Sequence, residues 1–127
     1  MNYLWVAIGG ALGSVARYWC SGIVAHRFGE SFPWGTIIVN VVGSFVIGLF
    51  ATLTAPDGRW FVSSEARVFV MIGFCGGYTT FSSFSLQTLS LAREGEWFSV
   101  GMNVVLSVTL CLVFVWLGHV LAVTINK

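Results

Sequence analysis

The sequence predicts an all-α integral membrane protein in which residues 1–127 form a single membrane domain that crosses the bilayer four times. Of the 127 residues, 57% are hydrophobic and 9% are charged, and the mean hydropathy of +0.88 lies well above that of soluble domains. A hydrocarbon core about 30 Å thick needs roughly 20 apolar residues per helix, so this length has room for about four spans. Long apolar runs place the spans near 3–25, 36–55, 66–91 and 97–124.

The first apolar run, MNYLWVAIGGALGSVARYW, is expected to be a membrane span and not a cleaved signal peptide. It has no basic segment ahead of its apolar residues and no convincing small-residue cleavage site. The three connections that follow read as loops, because each is rich in charged or turn-forming residues. They are HRFGESFPW (26–34), PDGRW (56–60) and REGE (93–96).

Basic residues outside the spans are divided almost evenly between the two faces of the membrane. Four spans place three of them on the side of the chain ends and two on the opposite side: Arg59, Arg67 and Lys127 against Arg27 and Arg93. Orientation normally follows an excess of Lys and Arg on the cytoplasmic side, so a chain without that excess is able to insert both ways up. The count therefore permits dual topology and an antiparallel homodimer, and it equally permits one orientation fixed by other features.

Polar residues inside the predicted spans form two stripes with a spacing of four, which places each stripe on one helix face. The second span carries Thr36, Asn40, Ser44, Gly48 and Thr52, and the fourth carries Asn103, Ser107 and Cys111. Small and hydroxyl residues in lipid either pack helices together or line a hydrated path. The asparagine in each stripe favours the lined path.

The acidic residues are all expected in loops or at span edges: Glu30, Asp57, Glu65, Glu94 and Glu96. Without an intramembrane carboxylate, a small proton-coupled multidrug exporter and a cation channel with an acidic ring are both disfavoured. Hydroxyls, Asn amides and aromatic edges suit a small anion instead, since they donate hydrogen bonds or present positive ring edges. Phe81 and Phe84 share a helix face, and they either offer two such edges or pack as ordinary apolar side chains.

The first span contains the only charge that lies well inside any predicted span, Arg17. Its side chain either snorkels to the membrane interface or lines an aqueous vestibule. Gly9 and Gly13 precede it as a small-xxx-small pair, which is typical of close contact between helices.

The third span contains the stretch CGGYTTFSSF, which is poorly suited to a regular helix. Gly76 and Gly77 each cost about 1 kcal/mol relative to alanine, and Thr79 and Thr80 are β-branched, so a helix break is predicted across these residues. Unwound backbone at membrane depth must be buried in protein or line a cavity. Its carbonyls suit a cation such as Na⁺, whereas the amides that begin the next half-helix favour an anion.

Cysteines and histidines point to no covalent or catalytic chemistry. Cys20, Cys75 and Cys111 lie in separate apolar segments, so we expect neither a disulfide nor a Cys/His metal site. With only His26 and His119, no intramembrane acid and no nucleophile–base pair, an enzyme is not expected.

Three stretches of the chain resemble the Fluc (CrcB-like) family of fluoride channels. They are GGALGSVARYW (9–19), GTIIVNVVGSFVIG (35–48) and GFCGGYTTFSSFS (73–85), in the family's order and at similar spacing. The resemblance implies a multi-pass protein of the bacterial inner membrane that forms an antiparallel, dual-topology homodimer with two fluoride pores. Its implied partners are fluoride, a second copy of the chain and the lipid bilayer, with no nucleic acid.

The resemblance also implies roles for individual residues. Phe81 and Phe84 would present ring edges to fluoride, and Asn40 would coordinate the ion nearby. The candidate pore residues beyond these are Asn103, Ser107, Thr36 and Ser83.

Further residues are implied outside the ion path itself. Backbone carbonyls of Gly76 and Thr79 from each subunit would hold a structural Na⁺ at the dimer centre, and Arg17 would lie near a pore vestibule. Many members have a glutamate where this chain has Gln87, which supplies hydrogen-bonding groups but no charge.

Three classes of function follow, in order of preference. The first is a passive, highly selective fluoride channel that lets cytoplasmic fluoride leave down its gradient. The second is a small transporter coupled to a proton or sodium gradient. The third is a structural membrane subunit whose polar stripes serve only to pack helices.

Overall fold

The computed structural model describes residues 2–127 as helices joined by short loops, with no strand in that range. The all-α prediction is thereby confirmed. The elements are α1 (Asn2–Phe28), α2 (Trp34–Leu53), α3 (Ser64–Arg67), the π-helix π1 (Val68–Cys75), α4 (Gly76–Tyr78), α5 (Phe81–Arg93) and α6 (Trp97–Asn126). The α3, π1 and α4 segments run on without a gap, and together with α5 they form the third long helix.

Three helical stretches among the described residues are long and apolar enough to cross a membrane. They are Trp34–Leu53, Ser64–Arg93 and Trp97–Asn126. The fourth long helix, α1, has 27 residues, but it carries Arg17 and many small or polar residues and is less apolar than the others. The count of four spans and the single membrane domain stay predictions.

The third long helix is interrupted at two residues, Thr79 and Thr80. Both have extended backbone angles, with φ −81° and ψ 159° at Thr79 and φ −152° and ψ 115° at Thr80. The sequence predicted a break across this region, but it assigned part of the cause to Gly76 and Gly77, and that part is wrong. Both glycines lie in α4 with helical backbone, and the interruption begins after Tyr78.

The glycines of the third long helix serve instead to let it approach α1 closely. A Cβ atom on Gly77 would lie 2.6 Å from the carbonyl oxygen of Gly10, and one on Gly73 would lie 3.1 Å from the Cα of Gly9. On the α1 side, a Cβ on Gly13 would collide with the carbonyl of Phe74. The predicted close helix contact at the first-span glycines is therefore confirmed, and its partner is the segment just before the break.

Substituting alanine for Gly77 is expected to lower stability by about 1–3 kcal/mol, because the new methyl group has no room against the backbone of α1. The matched control is Gly101→Ala in α6, where nothing lies within 4 Å of the added atom. That control is expected to raise stability by up to about 1 kcal/mol through helix propensity. Melting temperatures in detergent measure both, and equal shifts in the two variants would contradict the packing described here.

The helices α2 and α6 pack along each other, and each contributes deeply buried side chains. Ile37 and Val39 of α2 and Ala122 of α6 are almost completely buried. Two glycines bring the helices together, since a Cβ on Gly48 would meet the carbonyl of Val115 and one on Gly118 would meet that of Phe45. This helix pair forms two of the three walls of the site described next.

Candidate functional site

A cavity of about 390 Å³ lies beside the interruption, between α2, the third long helix and α6. We call it the central cavity. Its lining residues come from all three walls: Asn40, Gly43, Ser44, Ile47, Met71, Cys75, Gly76, Thr79, Thr80, Phe81, Phe84, Ser107, Val108, Cys111 and Leu112. None of them is charged, so the polar groups facing the cavity are hydroxyls, thiols, one side-chain amide and the backbone of the break.

Asn40 holds the break through two hydrogen bonds to a single residue. Its Nδ2 donates to the carbonyl of Thr80 at 3.1 Å, and its Oδ1 accepts from the amide of Thr80 at 2.7 Å. A primary amide has two N–H donors, so one donor of Asn40 stays available in the cavity. The predicted ion-coordinating residue is thus also the residue that replaces the helical bonds lost at Thr80.

Thr80 begins α5 as its N-cap. Its Oγ1 accepts a hydrogen bond from the amide of Ser83 at 3.1 Å, which satisfies one of the free amides of the first turn. The hydroxyl of Ser83 accepts from the same Oγ1 at 3.2 Å. Ser83, a predicted pore residue, therefore supports the cap and does not line the central cavity.

The interruption frees carbonyls that a continuous helix would use. The amide of Thr80 bonds to Asn40 and not to the carbonyl of Gly76, four residues earlier. The next carbonyl, that of Gly77, accepts a hydrogen bond from Nε of Arg17 at 3.1 Å. Arg17 is half-buried there and does not line the central cavity. Its vestibule role stays a prediction.

Phe81 and Phe84 lie together at the start of α5, and both line the central cavity. Their ring centroids are 5.3 Å apart, and the rings are tilted by 44°. Phe84 is half-buried, whereas 77% of Phe81 is exposed. The shared face predicted from their spacing is confirmed, and Phe81 extends beyond the protein surface of this chain.

A chain of hydrogen bonds links α6 to α5 behind the rings. The hydroxyl of Ser107 donates to Oδ1 of Asn103 at 3.3 Å, and Nδ2 of Asn103 donates to Oγ1 of Thr88 at 2.9 Å. The Thr88 hydroxyl then donates to the carbonyl of Phe84 at 2.7 Å. Sequence reasoning missed Thr88, although its spacing of four from Phe84 placed it on the same face of α5.

Replacing Thr88 by valine, which has the same shape, is expected to destabilise the fold by about 1–3 kcal/mol, because the amide of Asn103 would lose its acceptor while only 1% exposed. Thr109→Val is the matched control, since Thr109 is exposed on α6. Thermal melting in detergent compares the two. A melting temperature for Thr88→Val equal to that of the control would show that the chain of hydrogen bonds contributes little.

A second, larger cavity of about 1080 Å³ lies where the end of α1, the start of α2 and the end of α5 meet. We call it the outer cavity. Thr36 and Gln87 both line it, and so do charged residues of the loop region, Arg27, Glu30 and Glu94. The Oε1 atom of Gln87 is buried and has no hydrogen-bond partner within the described residues.

The two cavities follow one another along α2 and α5. On α2, Thr36 lines the outer cavity and Asn40, one turn later, lines the central one; on α5, Phe84 lines the central cavity and Gln87 the outer one.

The structure thus brings part of the predicted site together. The central cavity unites Asn40, Phe81, Phe84, Ser107, Gly76 and Thr79, while Asn103, Thr36, Ser83 and Arg17 lie outside its lining. The far end of the second-span stripe serves another contact, because the Thr52 hydroxyl lies 2.8 Å from Nδ1 of His119.

Comparison with known protein families identifies the family of this chain. Residues 4–119 match the family model described as CrcB-like protein, Camphor Resistance (CrcB). The chain belongs to the CrcB-like family. Membership and the apolar helices make this CrcB-like chain a multi-pass protein of the bacterial inner membrane.

Curated relatives of the CrcB-like chain are similar over nearly their whole length, and three of them share the name Fluoride-specific ion channel FluC. The protein of Rhodospirillum rubrum is 64% identical over 100% of this chain and 98% of its own length. That of Opitutus terrae is 64% identical over 98% and 95%, and that of Methylocella silvestris 60% over 100% and 97%. The relatives are named as ion channels, and the CrcB-like chain is accordingly not an enzyme.

Proposed function

We propose that this protein is a passive, selective fluoride channel, and that fluoride moves between the outer and central cavities past Phe84 and Phe81. The observation that supports this most is the central cavity itself, which contains hydrogen-bond donors and two phenyl rings but no charged side chain. The relatives at about 60% identity, named as fluoride-specific channels, give the ion its identity.

The lining supplies what a dehydrating anion needs. The free N–H of Asn40 is a hydrogen-bond donor that replaces hydration water. The edges of Phe81 and Phe84 carry partial positive charge, so they attract an anion without the deep trap of a buried cation. Because no lysine or arginine lines the cavity, an ion that enters is also able to leave.

The same proposal includes an antiparallel homodimer. The face beside the break is apolar and uncovered in one chain: Phe81 is 77% exposed and Ile72 is 61% exposed. Thr79 and Gly76 line the central cavity together with Phe81. A second copy packed against this face would cover the rings and close the central cavity on its open side.

The break offers ligands of the type that a structural Na⁺ would need, but one chain alone offers too few of them. Gly76 and Thr79 offer backbone carbonyl oxygens, which are the ligands that Na⁺ takes from unwound membrane helices. Hard cations bound by oxygen need several such ligands, so two carbonyls from one chain do not complete a cage. We propose that Gly76 and Thr79 of two chains hold the ion, which would tie the two breaks together.

The dimer is tested by mass and by orientation. Light scattering in detergent is expected to give twice the 13.8 kDa mass of one chain. In a cysteine-free background, Lys127→Cys is expected to react with an impermeant maleimide from both sides of sealed inner-membrane vesicles. Labelling from one side only would reject dual topology, and a monomer mass would reject the dimer.

The function is tested by reconstitution in liposomes loaded with potassium fluoride, with valinomycin added to let potassium carry the balancing charge and external fluoride followed by an ion-selective electrode. Efflux well above that of fluoride-loaded liposomes without protein is expected, together with little loss of chloride from liposomes loaded with potassium chloride. Fluoride efflux equal to that of the protein-free liposomes would reject the proposed function.

A further inference from the structure

The central cavity contains an unusual concentration of sulfur. Met71 and Cys75 line it from π1, and Cys111 lines it from α6. The whole chain has only three cysteines and three methionines, so half of its sulfur side chains meet around about 390 Å³. Cys75 is 2% exposed, and Met71 and Cys111 are half-buried.

The other side chains of the cavity do not compete with sulfur as metal ligands. The lining has no aspartate, glutamate or histidine, and no cluster of three or more His, Cys, Asp or Glu residues occurs within residues 2–127. A zinc site needs about four ligands of that kind, and a hard cation needs carboxylates or several carbonyls. Soft thiolate and thioether ligands select Cu⁺, Zn²⁺ and iron–sulfur clusters, and two thiols with one thioether are too few for the last two, so a soft monovalent ion fits best.

We propose that the central cavity is a binding site for a soft d¹⁰ cation, Ag⁺ or Cu⁺, held by the sulfur atoms of Met71, Cys75 and Cys111. The ion would enter by the path proposed for fluoride, from the outer cavity past Phe84. The fluoride path and the sulfur site would then share one space.

The charge balance favours a monovalent ion at this depth. One thiol gives up its proton to water as its sulfur bonds to the cation, so the metal thiolate is neutral. The second thiol and the thioether add as neutral donors. A neutral complex avoids the large cost of an uncompensated charge in an apolar surrounding, which a divalent ion bound by a single thiolate would incur.

Silver binding tests the site directly, without reference to transport. Calorimetry in a chloride-free nitrate buffer, with Cys20→Ser as the reference protein, is expected to show one tight Ag⁺ site per chain. Cys20 lines neither the central cavity nor the outer cavity, so its removal leaves the site intact. Adding Cys75→Ser and Cys111→Ser is expected to weaken binding by more than about 100-fold, since even outer-shell partners of a metal are worth roughly 10–100-fold.

Controls keep the result interpretable. Zn²⁺ is expected to bind far more weakly than Ag⁺ to the reference protein, and Met71→Leu is expected to weaken Ag⁺ binding while preserving the fold. If Cys75→Ser unfolds the protein, Cys75→Ala and the single variant Cys111→Ser take its place. Silver affinity that is unchanged in the variant lacking both cavity thiols would overturn the proposal.

A second readout rests on the proposed channel function. In liposomes, Ag⁺ is expected to block fluoride efflux through the reference protein and to slow it far less through the variant lacking Cys75 and Cys111, each compared with its own rate without silver. Silver that binds to a conducting protein without slowing efflux would overturn the placement of the site in the ion path. Tight binding by a protein that carries no fluoride would reject the channel function and leave the metal site standing.

Discussion

Phe81→Ile and Phe84→Ile are each expected to lower fluoride flux by about tenfold or more, because a favourable ring-edge contact of about 1.5 kcal/mol corresponds to roughly that factor in rate. Isoleucine keeps apolar bulk at the cavity wall but has no positive edge to offer an anion. Initial rates of fluoride efflux from liposomes, at matched protein density, give the comparison.

The control for these variants is Phe98→Ile. Phe98 is 80% exposed, close to the 77% of Phe81, and it lines neither the central cavity nor the outer cavity. Its flux is expected to equal that of the unmodified protein, and all three variants are expected to keep the same oligomeric mass. Unchanged flux in both Phe81→Ile and Phe84→Ile would show that the rings pack the helices and do not contact the ion.

Asn40→Leu is expected to be the most damaging single change at the break. Leucine has a similar size but leaves the amide and carbonyl of Thr80 without their partners, at 2.7 and 3.1 Å respectively in the structure. The two unsatisfied backbone groups would cost about 2–4 kcal/mol, and the N-cap of α5 would lose its anchor. A clear drop in melting temperature and loss of fluoride efflux are both expected.

Ser44→Ala provides the matched control one helical turn away. Ser44 also lines the central cavity, but its side chain makes no hydrogen bond to the break. This variant is expected to melt close to the unmodified protein. If Asn40→Leu melts no earlier than Ser44→Ala, the two hydrogen bonds to Thr80 are not what holds the interruption open.

The sequence was informative about the interruption and misleading about part of its cause. Adjacent glycines and β-branched threonines predicted a break, since all four disfavour a helix. In the folded chain, Gly77 has helical backbone. A glycine is needed at this position because α1 passes too close for any side chain. That contact joins residues far apart in sequence, so local propensity carried no information about it.

The candidate site was predictable only where helical spacing alone decides neighbours. Phe81 and Phe84 could be paired from their spacing, and the two polar stripes could be drawn in the same way. Which stripe residue meets which partner depends on how helices cross. Thus Asn40 bonds to Thr80, and Asn103 bonds to Thr88, contacts that no local pattern in the sequence specifies.

Arg17 shows the same limit for a charged residue. From the sequence it was expected to reach the interface or a vestibule, because a charge in a span normally seeks water. The interruption supplies another partner, the freed carbonyl of Gly77, at 3.1 Å. A guanidinium that bonds to a carbonyl freed just before the break could be anticipated only once the break was located.

The most direct test of the central claim is the driving force for fluoride efflux. Liposomes loaded with potassium fluoride, with no proton or sodium gradient, should release fluoride rapidly once valinomycin lets potassium carry the balancing charge. Without valinomycin, efflux should stop early as the membrane potential builds up. Efflux that requires an imposed proton or sodium gradient, and is indifferent to valinomycin, would contradict a passive channel.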